Sequence, residues 1–443
     1  MLEDIKNTVI HGKSEDVLKD LPDNCIDTII TDPPYGLSFM GKKWDYQVPD
    51  VEVWQECLRV LKPGGTLLCF AGTRTQHRMA VNVEDAGFIL KDVIMWLYGS
   101  GFPKATDISK QLDKGHERKV VGTGTAGKGF NKVKGFGENT TKGGEATTEW
   151  DVTEPVTDEA KLWDGWKSHG LKPAYEPILV AMKANEGSYA NNALVRGVSG
   201  LNIDAARIPF ESEADKKSAV FGRGTDILGG NYVGGEHGTG ETNILPDDKG
   251  RFPANVILDK EAGEMLDEQT GLVGGDARES KSTYDKGAWG NMDAVSSNAL
   301  YNDKGGASRF FYCAKASKAE KNAGLVGMAE KIKDPEYRQP TGNAMVDRIH
   351  GCGKKLKNHH PTVKPLDLME YLCKLTSTPT GGIVLDPFCG SGSTCKAAYN
   401  VGREYIGIDR EVEYCEIARK RIAESDQILS DEEVENGQQG LFE

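Results

Sequence analysis

A chain of 443 residues can bury an α/β core and still carry an insertion, since its length alone corresponds to two to three domain-sized units. No run approaches the roughly 18 apolar residues of a membrane span, and Met1-Leu-Glu-Asp-Ile-Lys lacks the apolar core of a signal peptide, so the chain reads as cytoplasmic. The net charge of −13 excludes a general nucleic-acid coat, yet residues 424–443 hold seven acidic side chains and no basic one, leaving −6 for the rest. The nine cysteines lie singly, without a Cys-x-x-Cys pair for zinc or redox work, which fits a reducing compartment.

In chain order, short β-rich runs occur at Asp27–Thr31, Thr66–Phe70, Val93–Leu97, Ile178–Ala181, Ile383–Leu385 and Tyr405–Ile408, alternating with helical patterns. This predicts an α/β fold with a parallel sheet covered by helices. Val51–Leu61 reads as a helix stopped by Lys62-Pro63-Gly64-Gly65. From Lys114 to Lys142 seven Lys or Arg stand against Glu117 and Glu138, which suggests a basic flap over phosphates carrying Lys128, Phe130, Lys132 and Lys134, or else a plain loop. Within it, Gly122-Thr-Gly124-Thr-Ala-Gly127 matches a dinucleotide fingerprint only formally, because no helix pattern follows. Residues 184–308 are glycine-rich and weakly periodic, with isolated strand-like pieces such as Asn255–Leu258, and 184–350 reads as an inserted recognition region between a unit at 1–183 and one at 351–423. Pro365 opens a helix bearing Leu366, Met369, Leu372 and Cys373 on one face. The tail 424–443 is acidic, poor in aromatics and reads as disordered.

Two segments carry chemistry. The first strand runs straight into Asp32-Pro33-Pro34-Tyr35-Gly36, at the strand end where open α/β sheets bind ligands. Two prolines fix the backbone and donate nothing, so the loop offers acceptors, the Asp32 carboxylate and the Pro33 carbonyl, beside an aromatic face on Tyr35. Two acceptors suit an exocyclic base amine, whose lone pair is spread into its ring until its hydrogens are held, and the Tyr35 face suits an extruded base. Carbon methylation would instead require a nucleophilic cysteine in a Pro-Cys pair, and the sequence has none. The second segment, Val384-Leu385-Asp386-Pro387-Phe388-Cys389-Gly390-Ser391-Gly392, is a strand, a glycine-containing turn and a helix start, and Asp409 ends the next strand about twenty residues on, where nucleoside-binding folds hold ribose. Turn plus distant acid indicates an adenosyl cofactor.

With these motifs, and with His360-Pro361-Thr362-Val363-Lys364-Pro365 before the cofactor strand, the chain resembles the DNA amino-methyltransferases of the permuted (beta) class, in which the catalytic loop precedes the recognition region and the cofactor turn comes last. Phe39-Met40-Gly41-Lys42-Lys43-Trp44-Asp45, Leu201-Asn-Ile-Asp204 and Arg309-Phe-Phe-Tyr-Cys-Ala-Lys315 are similar to a phage- and restriction-associated subgroup. The resemblance implies a circularly permuted, Rossmann-like S-adenosylmethionine-dependent fold. It implies a catalytic loop of Asp32, Pro33, Pro34 and Tyr35, with Asp386, Phe388, Gly390, Ser391, Gly392 and Asp409 around the cofactor and Thr362 and Lys364 near its methionine carboxylate. Gly12-Lys13 departs from relatives that place Asp after this glycine, with Glu15 or Asp16 as substitutes. Asp409 replaces the Glu common among them.

The implied partner is double-stranded DNA, methylated at adenine N6, since Asp32 stands where N4-cytosine enzymes usually carry Ser. An N4-cytosine enzyme, a DNA-binding protein that kept the fold without catalysis, and a dehydrogenase using the Gly122 loop are the alternatives. His350, Cys352, His359 and His360 fit no standard zinc spacing, so no metal is expected. Gln438, Leu441 and Phe442 resemble a peptide that docks on the replication sliding clamp, and the sequence is compatible with a homodimer.

Overall fold

The computed structural model describes residues 2–37, 45–99, 101, 105–125, 149–218, 221–222, 243–244, 248–271, 305–314, 325, 331–332, 355–356, 358, 360 and 363–424. Nine strands form the central sheet: β1 (Thr8–His11), β2 (Ile26–Thr31), β3 (Leu61–Phe70), β4 (Ile89–Leu97), β5 (Tyr175–Met182), β6 (Val256–Asp259), β7 (Tyr312–Ala314), β8 (Ile383–Asp386) and β9 (Glu404–Asp409). Their order is β1-β9-β8-β2-β3-β5-β4-β6-β7.

The middle strands are apolar without alternation because helices cover both faces. In β3, Leu68 and Phe70 face one core with Ile30 and the helices Leu366–Leu375 and Ser393–Asn400. Leu67 and Cys69 face the other, with Ile29 and the helices Val51–Val60 and Gln76–Asp85. The result is a three-layer, Rossmann-like sandwich.

Three expectations change. The sheet is mixed, because β5 runs antiparallel to both β3 and β4 while every other pair is parallel. Leu97 pairs with Tyr175, so β4 and β5 form one long hairpin whose connection leaves and returns at the same sheet end. Lys62-Pro63-Gly64-Gly65 does not separate helix from strand but lies inside β3, where the register with β2 jumps from Ile26–Leu61 to Thr28–Thr66. Buried Asn192 fixes that bulge, donating from Nδ2 to the carbonyls of Pro63 at 2.8 Å and Val198 at 2.6 Å, while Gly64 takes φ +78°. Finally, two pieces of the expected insertion, β6 and β7, extend the central sheet beyond β4.

The connection from β4 to β5 carries the helices Ile108–Leu112 and Asp158–Leu162 and an antiparallel pair, Val120–Thr125 with Glu149–Thr153. Gly122 and Gly124 therefore sit in a strand, not in a turn before a helix. Lys128, Phe130, Lys132 and Lys134 lie outside the described residues, as do Thr362, Gln438, Leu441 and Phe442. No helix among the described residues is long and apolar enough to cross a membrane.

Candidate active site

Strands β2 and β8 are neighbours, and each ends in a segment singled out from the sequence. Thr31, the last residue of β2, donates from Oγ1 to Asp386 Oδ1, the last residue of β8, at 2.6 Å. Helices from the two strands go to opposite faces, so the crevice opens at the carboxyl ends of this pair, where doubly wound sheets bind ligands.

After Thr31 the chain turns through Asp32-Pro33-Pro34-Tyr35-Gly36. Neither proline has an N–H, and the three amides that follow are all held by Asp45, which is 2% exposed. Its Oδ1 accepts from Tyr35 N at 2.7 Å and Gly36 N at 2.9 Å, and its Oδ2 from Leu37 N at 3.2 Å. Gly36 sits at φ +67°, a conformation suited to glycine. Tyr35 donates its hydroxyl to Asp32 Oδ1 at 2.5 Å, which fixes the carboxylate against the ring.

Lys364 is also here. Its Nζ lies 3.1 Å from Asp32 Oδ1, 2.6 Å from Glu176 Oε2 and 3.1 Å from the Tyr35 hydroxyl. The same ammonium stands over the rings of Phe70 at 4.7 Å, Tyr35 at 5.5 Å and Trp96 at 5.9 Å. Burial works to lower its pKa, but the Asp32 and Glu176 charges outweigh burial and hold it above the ordinary lysine range. Burial, reinforced by the same two carboxylates, drives the Tyr35 hydroxyl well above its usual value. Two carboxylates and three ring faces thus draw the Lys364 ammonium to the Asp32 loop.

On the other side, Asp386 accepts from Phe388 N at 3.1 Å as well as from Thr31, and burial raises its carboxyl pKa to about 7. Asp409 ends β9 and accepts from Gly390 N at 2.9 Å and Glu411 N at 2.8 Å, and burial raises it too. Gly390 has φ +51°, and a Cβ there would stand 2.6 Å from His360 Nε2. Gly392, at φ +76°, packs so closely on helix 412–424 that a Cβ would meet that of Ala418 at 2.6 Å. From that helix Arg421, 1% exposed, donates to the Ser391 carbonyl at 2.6 Å and to the Ser393 hydroxyl at 3.2 Å, clamping the turn.

One cavity of about 400 Å³ joins these parts, lined by Asp32 and Pro34 from one loop, Asp386, Phe388, Gly390 and Ser391 from the other and Asp409 from the end of β9, with Lys364 between. Glu15, one of the two proposed substitutes near Gly12, lines it as well. Pro33, Tyr35 and Gly392, also expected at the site, are not among its lining residues. Sequence reasoning missed Asp45 and Glu176. The first lies in a motif singled out above, and the second is a charged residue next to Pro177 at the start of an apolar strand, a placement that marks a strand end at a site.

A family model described as DNA methylase, covering N6 and N4 methyltransferases, matches residues 26–420. The chain belongs to the DNA methylase family. The Type II methyltransferase M2.DpnII of Streptococcus pneumoniae is 51% identical over 69 residues, 16% of this methylase and 25% of that protein. M2.MboI of Moraxella bovis is 40% identical over 82 residues, 18% of this chain and 30% of its own. The matches thus span under a third of either relative. Among solved structures, the M1.HpyAVI–SAM complex is 17% identical, with 94% of this chain and 98% of that one covered and a TM-score of 0.37.

Proposed function

We propose that this methylase transfers a methyl group from S-adenosylmethionine to the exocyclic N6 amino group of adenine in duplex DNA, at a specific site, after flipping the base out of the helix. The observation that carries this reading is the single cavity shared by the Asp32 loop and the Gly390 turn. Its volume of about 400 Å³ suits a nucleoside-sized ligand. The residues fit such a cofactor: a turn with two positive-φ glycines lets backbone approach closely, and Asp409 and Asp386 offer carboxylate acceptors on either side. When bound, S-adenosylmethionine supplies an electrophilic methyl on a sulfonium.

The chain's own residues do the rest. Asp32 and the Pro33 carbonyl accept the hydrogens of the target amine and localise its lone pair for in-line attack, while the Tyr35 ring supports the flipped base. Asp45 holds the loop rigid, so the acceptors are in place before the reaction starts. Adenine is favoured because Asp begins the loop. The catalytic strands β2 to β5 precede the cofactor strands β8 and β9 in the chain, which supports the permuted class. In this reading residues 184–350 supply much of the target recognition, Lys128, Phe130, Lys132 and Lys134 meet the DNA, Thr362 lies beside the cofactor, and the tail docks on a sliding clamp through Gln438, Leu441 and Phe442; a homodimer is compatible with it.

The test is methyl transfer from labelled S-adenosylmethionine to unmethylated DNA by the purified protein and by Asp32→Ala. The intact protein is expected to label DNA, and the variant to bind cofactor with similar affinity while losing on the order of 10²-fold or more in rate. Cofactor binding without transfer by the intact protein would favour a DNA-binding protein that kept the fold.

A further inference from the structure

Methylation of an amine leaves a proton to dispose of. On the reading above, Asp32 is the acceptor at the amine, and a base lying over the loop separates that carboxylate from water. An exit through the protein is needed on the other side.

Such a route is present. Asp32 Oδ1 is 3.1 Å from Lys364 Nζ, which is 2.6 Å from Glu176 Oε2. Exposure falls and then rises along this line, with side chains 19% exposed at Asp32, 9% at Lys364 and 24% at Glu176. The Tyr35 hydroxyl also reaches both carboxylates, at 2.5 Å from Asp32 and 3.3 Å from Glu176, but Lys364 makes the shorter contact to Glu176, at 2.6 Å. Lys364 has three N–H bonds and touches both carboxylates. The antiparallel direction of β5 creates the arrangement. Glu176 pairs across to Trp96 near the end of β4, whereas a parallel β5 would carry it to the far end of the sheet, roughly 20 Å off at about 3.3 Å per residue. Among the described residues, the ionisable groups facing Glu176 are Lys364 and Tyr35, through which Asp32 is joined, and Tyr98, whose hydroxyl is raised to about 12 by burial and by the Glu176 charge.

We propose that Glu176 is the proton exit of the active site, receiving through Lys364 the proton that Asp32 takes from the methylated amine. The amine N–H bond breaks as an O–H bond forms on Asp32. Lys364 passes one of its own protons to Glu176 Oε2, and the amine so formed takes the proton from Asp32, which restores the ammonium. Glu176 releases the proton to water. One proton moves from amine to solvent, and nothing is oxidised or reduced.

The experiment uses the full chain with S-adenosylmethionine and duplex DNA, comparing Glu176→Gln and Glu176→Asp with the unchanged protein in single-turnover rate against pH, in H2O and D2O. Gln retains an acceptor for Lys364 but cannot take a proton. Cofactor and DNA affinities are expected to stay within about twofold while the rate falls on the order of 10²-fold, as for loss of a proton-transfer group. The residual rate should climb with pH, with a larger solvent isotope effect, and Asp should restore part of the rate. The inference is overturned if the Gln variant keeps its rate within about twofold, or if the rate falls while pH profile and isotope effect stay unchanged in both variants, since Glu176 would then only hold Lys364. Absence of transfer by the unchanged protein would remove the functional reading itself, a result independent of either variant.

Discussion

Asp386 is 2% exposed between the Asp32 loop and the Gly390 turn, and burial lifts its carboxyl pKa to about 7 against an ordinary 3.8. The folded chain therefore keeps a proton that the unfolded chain loses at lower pH, so this group costs stability progressively as pH rises from about 4 to about 7 and fully above that window. Asp386→Asn removes the cost while keeping an acceptor for Thr31 and Phe388 N. Denaturant unfolding of the ligand-free protein across this range should show the variant gaining on the parent as pH rises, and a gap independent of pH would contradict the assignment. At this scale Asp32, Asp386 and Asp409 were legible because each sits at or just past the end of an apolar run. Asp45 and Glu176 were not, because their roles depend on contacts that no local pattern encodes: one holds amides of a neighbouring loop, and the other meets a lysine 188 residues away.

At the scale of elements, alternation of apolar runs and helical patterns located six strands but could not give their direction. β5 reads like its neighbours, and only the return of its connection to the starting end of β4 makes it antiparallel. β6 was legible as the strand-like piece Asn255–Leu258 but not its place in the central sheet, and β7 is only three residues long. The β4–β5 connection leaves and returns at the rim that carries Glu176, and the proposed function assigns its basic stretch to DNA. Replacing Lys128, Lys132 and Lys134 together with Ala should weaken DNA binding across sequences and reduce the salt slope by up to about three phosphate contacts. Titration of DNA at several salt concentrations checks this, and an unchanged slope would reduce the segment to a surface loop.

For the whole molecule, the proposed function requires an acidic chain to concentrate its cations and rely on shape for the rest. Placing seven of the acidic side chains in residues 424–443 keeps them apart in sequence from the basic stretch. If the tail docks on a sliding clamp, calorimetry should detect clamp binding by the intact chain and its loss in Leu441→Ala/Phe442→Ala, with methylation of free oligonucleotides unaffected. No binding by the intact chain would remove that proposal. Such tethering would raise local concentration near new DNA without altering the catalytic step.

The central claim is methylation of a base amine by the Asp32 loop, and single-molecule sequencing of DNA from a methylation-free host tests it most directly because base, position and context are read together. Expression of the intact protein should yield N6-methyladenine at one recurring sequence, and Asp32→Ala should abolish it. Unmodified DNA from cells making the folded protein, or an identical mark left by the variant, would contradict the account.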